Sequence, residues 1–206
     1  MLSPHLIPDA DDATVADWLE VRLSAALASA TGPVAICLPG GSTPFPILER
    51  LVARRLDWSR VEVWPGDDRC VPLDHPASNA GRLVTLFAPV GARVLPLVEE
   101  ARPPRFVLTW LGMGADGHIA SLFPNTDPRA DDPAVLRRLM PDPLPPEAPF
   151  ARLSLTIPAL LDTDAVIFVI RGADKRALFE AAVRGENDLP VARLLAAASV
   201  PVTCFA

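Results

Sequence analysis

The feature that most limits what this chain can become is a repeated change of period. Unbroken apolar runs, as at residues 34–38 and 165–170, alternate with stretches in which apolar residues recur every three or four positions, as at Val15, Trp18, Leu19, Leu23, Ala26 and Leu27. A run apolar at every residue is a strand covered on both faces, and the longer period is a helix with one buried stripe. Their alternation predicts an α/β protein with a mostly parallel sheet and helices on both faces. Strands are expected over 34–38, 61–64, 92–97, 106–111, 151–156, 165–170 and 202–205. Helices are expected over 14–30, 47–56, 78–87, 117–123, 158–161, 174–184 and 191–198. With 206 residues, no repeat and no linker, residues 1–206 are read as one domain. Residues 124–149 hold eight prolines in 26 and predict a long irregular loop, with one helical turn at 134–139.

Charge and composition remove several function classes. The formal net charge is −6, against a nucleic-acid partner, whose phosphates call for a basic face. A small anion held by a few local cations stays open, because net charge and site charge are separate quantities. No apolar run approaches the roughly 20 residues that cross a bilayer, which predicts no membrane association. The acids and prolines of residues 1–12 are unlike a signal peptide, and the chain reads as cytoplasmic. Cys37, Cys70 and Cys204 form no metal-binding spacing; they read as buried reduced thiols, and no metal is expected.

Three polar segments each follow a predicted strand, so the fold brings them to one rim, where ligands of such sheets bind. The first is Pro39-Gly40-Gly41-Ser42-Thr43-Pro44. Paired glycines let a backbone approach an anion closely, and Ser42 or Thr43 caps the next helix, which suits a phosphate. An ordinary strand-to-helix turn has the same composition. The second segment runs Asp67-Asp68-Arg69-Cys70-Val71-Pro72 and on to Ser78-Asn79, with Ser78 as a helix cap. Its acids and arginine are either a solvated turn or a site where Arg69 holds an anion or polarises a carbonyl while the acids orient it.

The third segment is Leu111-Gly112-Met113-Gly114-Ala115-Asp116-Gly117-His118. Its GxGxxG string is not a dinucleotide fingerprint, since no full helix and second strand follow within about 30 residues. Asp116 and His118 suit acid–base work instead: imidazole titrates near neutrality, and a nearby carboxylate sets its tautomer. Lys175 is the single lysine among 19 cationic residues, which marks either chance or a site that needs a compact ammonium. Arg152 is a further inward candidate for an anion.

Together these segments resemble the 6-phosphogluconolactonase family. The resemblance rests on GGSTP (Gly40 to Pro44), the D-D-R-x-V-P-x-D…SN stretch (Asp67 to Asn79) and LGMGADGHIASLFP (Leu111 to Pro124), with R-x-S-L-T-x-P from Arg152 and G-x-x-K ending at Lys175. It implies a modified Rossmann-like, three-layer α/β/α fold and hydrolysis of 6-phosphoglucono-1,5-lactone to 6-phosphogluconate in the oxidative pentose phosphate pathway. It implies no metal or organic cofactor, and a monomer or homodimer whose partner is a phosphorylated sugar lactone. His118, Asp116 and Arg69 are then the catalytic candidates. Gly40, Gly41, Ser42, Thr43, Asp67, Arg152 and Lys175 are the candidates for substrate and phosphate binding. The related glucosamine-6-phosphate deaminase/isomerases carry D-E-Y where this chain has Arg69, and a catalytic glutamate where it has Phe123. A sugar-phosphate-binding domain without turnover is the remaining alternative. The chain departs from the family in having Asp68 where glutamate is usual and Arg105 where an acid is frequent. It also has no room between residues 97 and 106 for a crossover helix.

Overall fold

The computed structural model describes residues 3–140, 142 and 149–206. In chain order its elements are β1 (His5–Ile7), α1 (Asp12–Ser29), β2 (Val34–Leu38), α2 (Pro44–Val52), β3 (Val61–Pro65), β4 (Asp67–Arg69), α3 (Asn79–Phe87), β5 (Arg93–Val94) and β6 (Leu108–Leu111). There follow β7 (Leu136–Leu139), β8 (Arg152–Leu155), α4 (Ile157–Leu161), β9 (Val166–Val169), α5 (Ala173–Val183), α6 (Pro190–Ala197) and β10 (Val202–Phe205). Seven strands form a sheet in the order β1-β10-β9-β6-β2-β3-β5, parallel throughout.

Helices cover both faces, as the apolar strand runs require. Strand β2 shows the division: Ile36 and Leu38 face one core with Leu19, Leu23, Ile47, Leu48 and Phe87, from α1, α2 and α3. Ala35 and Cys37 face the other, with Leu160, Phe179 and Leu194 from α4, α5 and α6. Each fully buried large side chain is worth about 1.5–3 kcal/mol relative to exposure. Helix α1 buries Val15, Leu19, Leu23 and Leu27, one residue per turn, and Asp11 caps it by accepting from the Thr14 backbone at 2.7 Å. Among the described residues no helix is long and apolar enough to cross a membrane.

The chain leaves β2 toward β3 on one side, while β6, the other neighbour of β2, adjoins β9 on the opposite side. The connections therefore diverge between the carboxyl ends of β2 and β6, which opens a crevice there.

Four expectations need correction. Residues 117–123 form no helix. They make a compact turn with bridges Met113↔Ile119 and Ile119↔Leu122, and Ala120 takes a φ of 49°. The Ser121 N–H, which a helix would give to the Gly117 carbonyl, goes to the Ser154 hydroxyl, and that carbonyl accepts from the Val191 N–H instead. The helical turn expected at 134–139 is instead strand β7, because four residues gain more from a ladder with β8 than from an isolated turn. The rest of the 124–149 loop includes a single 3₁₀ turn at Pro124–Thr126, and residues 141 and 143–148 lie outside the described set. Strand β8 is not in the parallel sheet. It is the centre of a second, antiparallel sheet in the order β4-β8-β7. Finally, Cys70 is exposed, whereas Cys37 and Cys204 are buried. The N-terminal residues also pair, His5 lying against Thr203. The connection from β5 to β6 contains no helix, as its length requires, and Leu97 and Ala101 bury themselves there instead.

Candidate active site

A cleft of about 320 Å³ sits in the crevice beyond the carboxyl ends of β2 and β6. Gly40, Gly41, Ser42 and Thr43 form one wall, and His118 and Gly114 stand on another. Asp67, Arg69 and Arg152 come from the second sheet, and Lys175 from the first turn of α5. Of the residues expected at the site, Asp116 alone is absent from this lining; it stands behind His118.

The loop after β2 positions backbone rather than side chains. Pro44 occupies the first turn of α2, and neither Ser42 nor Thr43 caps that helix, a correction to the expected cap. Their hydroxyls remain available to the cleft. Gly40 packs so closely on Asn79 that a Cβ there would stand 2.0 Å from Asn79 Oδ1. Arg82, on α3, donates to the Gly41 carbonyl at 2.9 Å and stacks over Phe45 at 3.8 Å, holding the loop from outside.

The two adjacent acids have separate roles. Asp68 is buried and accepts from the Asn79, Ala80 and Arg69 backbone N–H groups and from the Ser78 hydroxyl. It fastens the start of α3, with Ser78 as the cap. Asp67 faces the cleft and accepts from the Ser121 hydroxyl at 2.5 Å. Burial pushes the Asp67 carboxyl above the usual carboxylate range. The Ser121 bond and the Arg69 and Arg152 charges pull it down, and neighbouring Asp68 adds to the rise.

Arg69 donates to the Ala77 carbonyl at 2.8 Å. Across the antiparallel ladder it stands directly opposite Arg152, which is buried. Like charges facing each other across a ladder are unfavourable by themselves and favour an anion between or beside them. Lys175 Nζ donates to the Met113 carbonyl at 3.0 Å, which ties α5 to the glycine-rich turn.

That turn carries the Asp116 and His118 pair. His118 Nδ1 lies 2.6 Å from Asp116 Oδ1. A carboxylate there selects the tautomer protonated at Nδ1 and leaves Nε2 as the basic nitrogen. A Cβ on Gly114 would stand 2.1 Å from His118 Nδ1 and 2.5 Å from Asp116 Oδ1, so the pair exists only against a glycine. The Phe123 ring supports the imidazole at 4.5 Å between centroids, and Arg152 lies over the same ring at 5.4 Å.

Sequence reasoning passed over Asn79, Ser121 and Arg171. Asn79 joins the Asp67 carbonyl, through its Nδ2, to Gly40 and was visible only as part of the Ser78-Asn79 pair. Ser121 had no signal of its own. Arg171 lines the cleft, and its signal was a cation placed directly after an apolar strand run. Burial raises the Cys37 thiol above its usual range, which suits a core group rather than a nucleophile. Among the described residues no three His, Cys, Asp or Glu side chains are grouped to hold a metal ion.

The sequence model for glucosamine-6-phosphate isomerases/6-phosphogluconolactonase matches residues 8–101 and 87–202. The chain is 38% identical to the 6-phosphogluconolactonase of Pseudomonas putida over 90% of this chain and 84% of that protein. It is 34% identical to that of Mesorhizobium japonicum over 89% and 85%. In structure it resembles the 6-phosphogluconolactonase of Shewanella baltica with a TM-score of 0.83 at 24% identity, over 98% of this chain and 97% of that one. The Trypanosoma brucei 6-phosphogluconolactonase gives 0.82 at 21% identity, over 99% and 96%. These two structural likenesses bear on the fold.

Proposed function

This chain belongs to the glucosamine-6-phosphate isomerase/6-phosphogluconolactonase family, and from that premise we propose how its cleft hydrolyses 6-phosphoglucono-1,5-lactone to 6-phosphogluconate, a step of the pentose phosphate pathway. The substrate's phosphate rests on the backbone and hydroxyls of Gly40, Gly41, Ser42 and Thr43, with Arg152 and Lys175 as counter-charges. Anchoring one end of a small ring orients the other and converts binding into position. His118 Nε2 takes a proton from water as its oxygen attacks C1. Asp116 holds the imidazole and stabilises the imidazolium that forms. Arg69 stabilises the oxyanion that develops on the C1 oxygen, and Asp67 orients the ring hydroxyls. The C1–ring oxygen bond then breaks, and the ring oxygen leaves with the proton that His118 returns. The product is an open-chain acid with its phosphate intact.

The observation that carries this reading is the neighbourhood of His118. One ring nitrogen is committed to Asp116, and the Phe123 ring packs against the imidazole. A deaminase/isomerase must move protons between adjacent carbons, and the resemblance puts its glutamate at the position of Phe123. A lactonase needs one base, a water and a cation for the oxyanion.

The test is a coupled assay on freshly generated 6-phosphogluconolactone, with spontaneous hydrolysis subtracted. His118→Ala should lower kcat by roughly 10²–10⁴-fold, the usual worth of general acid–base catalysis. Wild-type turnover in that variant removes His118 from the mechanism. Ammonia release from glucosamine 6-phosphate, expected to be absent, would instead favour the deaminase.

A further inference from the structure

Arg171 follows β9 and lines the same cleft as Lys175, and its guanidinium is paired with a carboxylate. Its Nη2 lies 3.1 Å from Asp12 Oδ1, at the start of α1, and the two side chains are 37% and 39% exposed. Asp11 and Arg50 stand beside this pair. Two other cleft cations are held to the protein by neutral groups, Arg69 to the Ala77 carbonyl and Lys175 to the Met113 carbonyl. Arg171 has a charged partner that an anion can replace.

The magnitudes favour replacement. An ion pair this exposed is worth at most about 1 kcal/mol. A phosphate dianion offers a guanidinium two parallel charge-assisted hydrogen bonds, which are stronger. Resting on the phosphorylated-lactone reading above, we propose that Arg171 is a further substrate-binding cation that exchanges Asp12 for the phosphate group. Asp12 is then a built-in competitor that sets how tightly phosphorylated sugars are held.

The proposal predicts effects of opposite sign from the two halves of one ion pair. Calorimetry would follow 6-phosphogluconate, and separately inorganic phosphate, binding to the full chain. Arg171→Gln should weaken both by about tenfold or more, the scale of a lost hydrogen bond to a charged group. Arg171→Lys should recover part of the loss, which excludes a folding defect as its cause. Asp12→Asn should tighten both, by up to about fivefold, since it removes the competitor. The same order should appear in KM with kcat unchanged. Binding by Arg171→Gln within twofold of wild type overturns the proposal. So does Asp12→Asn weakening binding as Arg171→Gln does, which marks a purely structural pair. So does an effect on 6-phosphogluconate without one on phosphate. In each of these cases the wild type still turns over the lactone and the proposed function stands. A wild type that neither hydrolyses the lactone nor binds its product overturns the function, and this proposal with it.

Discussion

The two glycine-rich arms of the cleft, Gly40–Thr43 after β2 and Gly112–His118 after β6, look alike as strings and work differently. In the first, glycine lets the backbone fit against Asn79, and the chemistry offered is main-chain N–H and hydroxyl. In the second, glycine makes room for side chains, because His118 and Asp116 occupy the space that a Gly114 Cβ would fill. In the proposed function one arm is a cradle, and the other is a mount for a base. A glycine-rich turn at a sheet rim therefore has no fixed meaning until its neighbours are known.

That contrast can be broken by adding one methyl group to each arm. Gly114→Ala would displace both the imidazole and its carboxylate. A shift of about 1 Å in a catalytic group is enough for a 10²-fold loss, expected here in kcat with KM little changed. Gly40→Ala would push against Asn79, which is held by the Asp67 carbonyl, and so distort the cradle. It should chiefly raise KM, on the order of thirtyfold for ~2 kcal/mol of lost binding. Steady-state kinetics on the two variants decides the matter: if both lose kcat alone, or both KM alone, the division between the arms is wrong. Lys175→Ala sharpens the division, because this residue touches the second arm through Met113 while the proposed function assigns its charge to the first. A phosphate-binding role predicts a KM rise of about tenfold, the scale of a lost charge-assisted bond, at constant kcat. A fall in kcat with KM unchanged would move Lys175 to the chemical step.

Much of the site was legible because strand ends of a parallel sheet share one rim. Three polar segments after three apolar runs had to meet once the layers formed, and Gly40–Thr43, Asp67, Arg69 and His118 do line one cleft. The separation of Asp67 from Asp68 was not legible. In an extended segment adjacent residues point to opposite sides, and only the position of α3 determines that Asp68 binds its first turn while Asp67 meets Ser121. Arg171 went unnoticed because its exposed pairing with Asp12 spans most of the chain and leaves no local pattern.

The amino-acid order alone determined the alternation of strand and helix, the parallel sheet and the rim that carries polar residues, since hydrophobic period and turn chemistry are local and act within a few residues. Tertiary structure alone decided that residues 117–123 turn instead of coiling and that residues 136–139 extend. It also moved residues 152–155 into a second sheet, setting Arg152 opposite Arg69. Each of those outcomes depends on a partner strand or side chain distant in sequence, and short segments with weak intrinsic preference take the conformation that the partner satisfies.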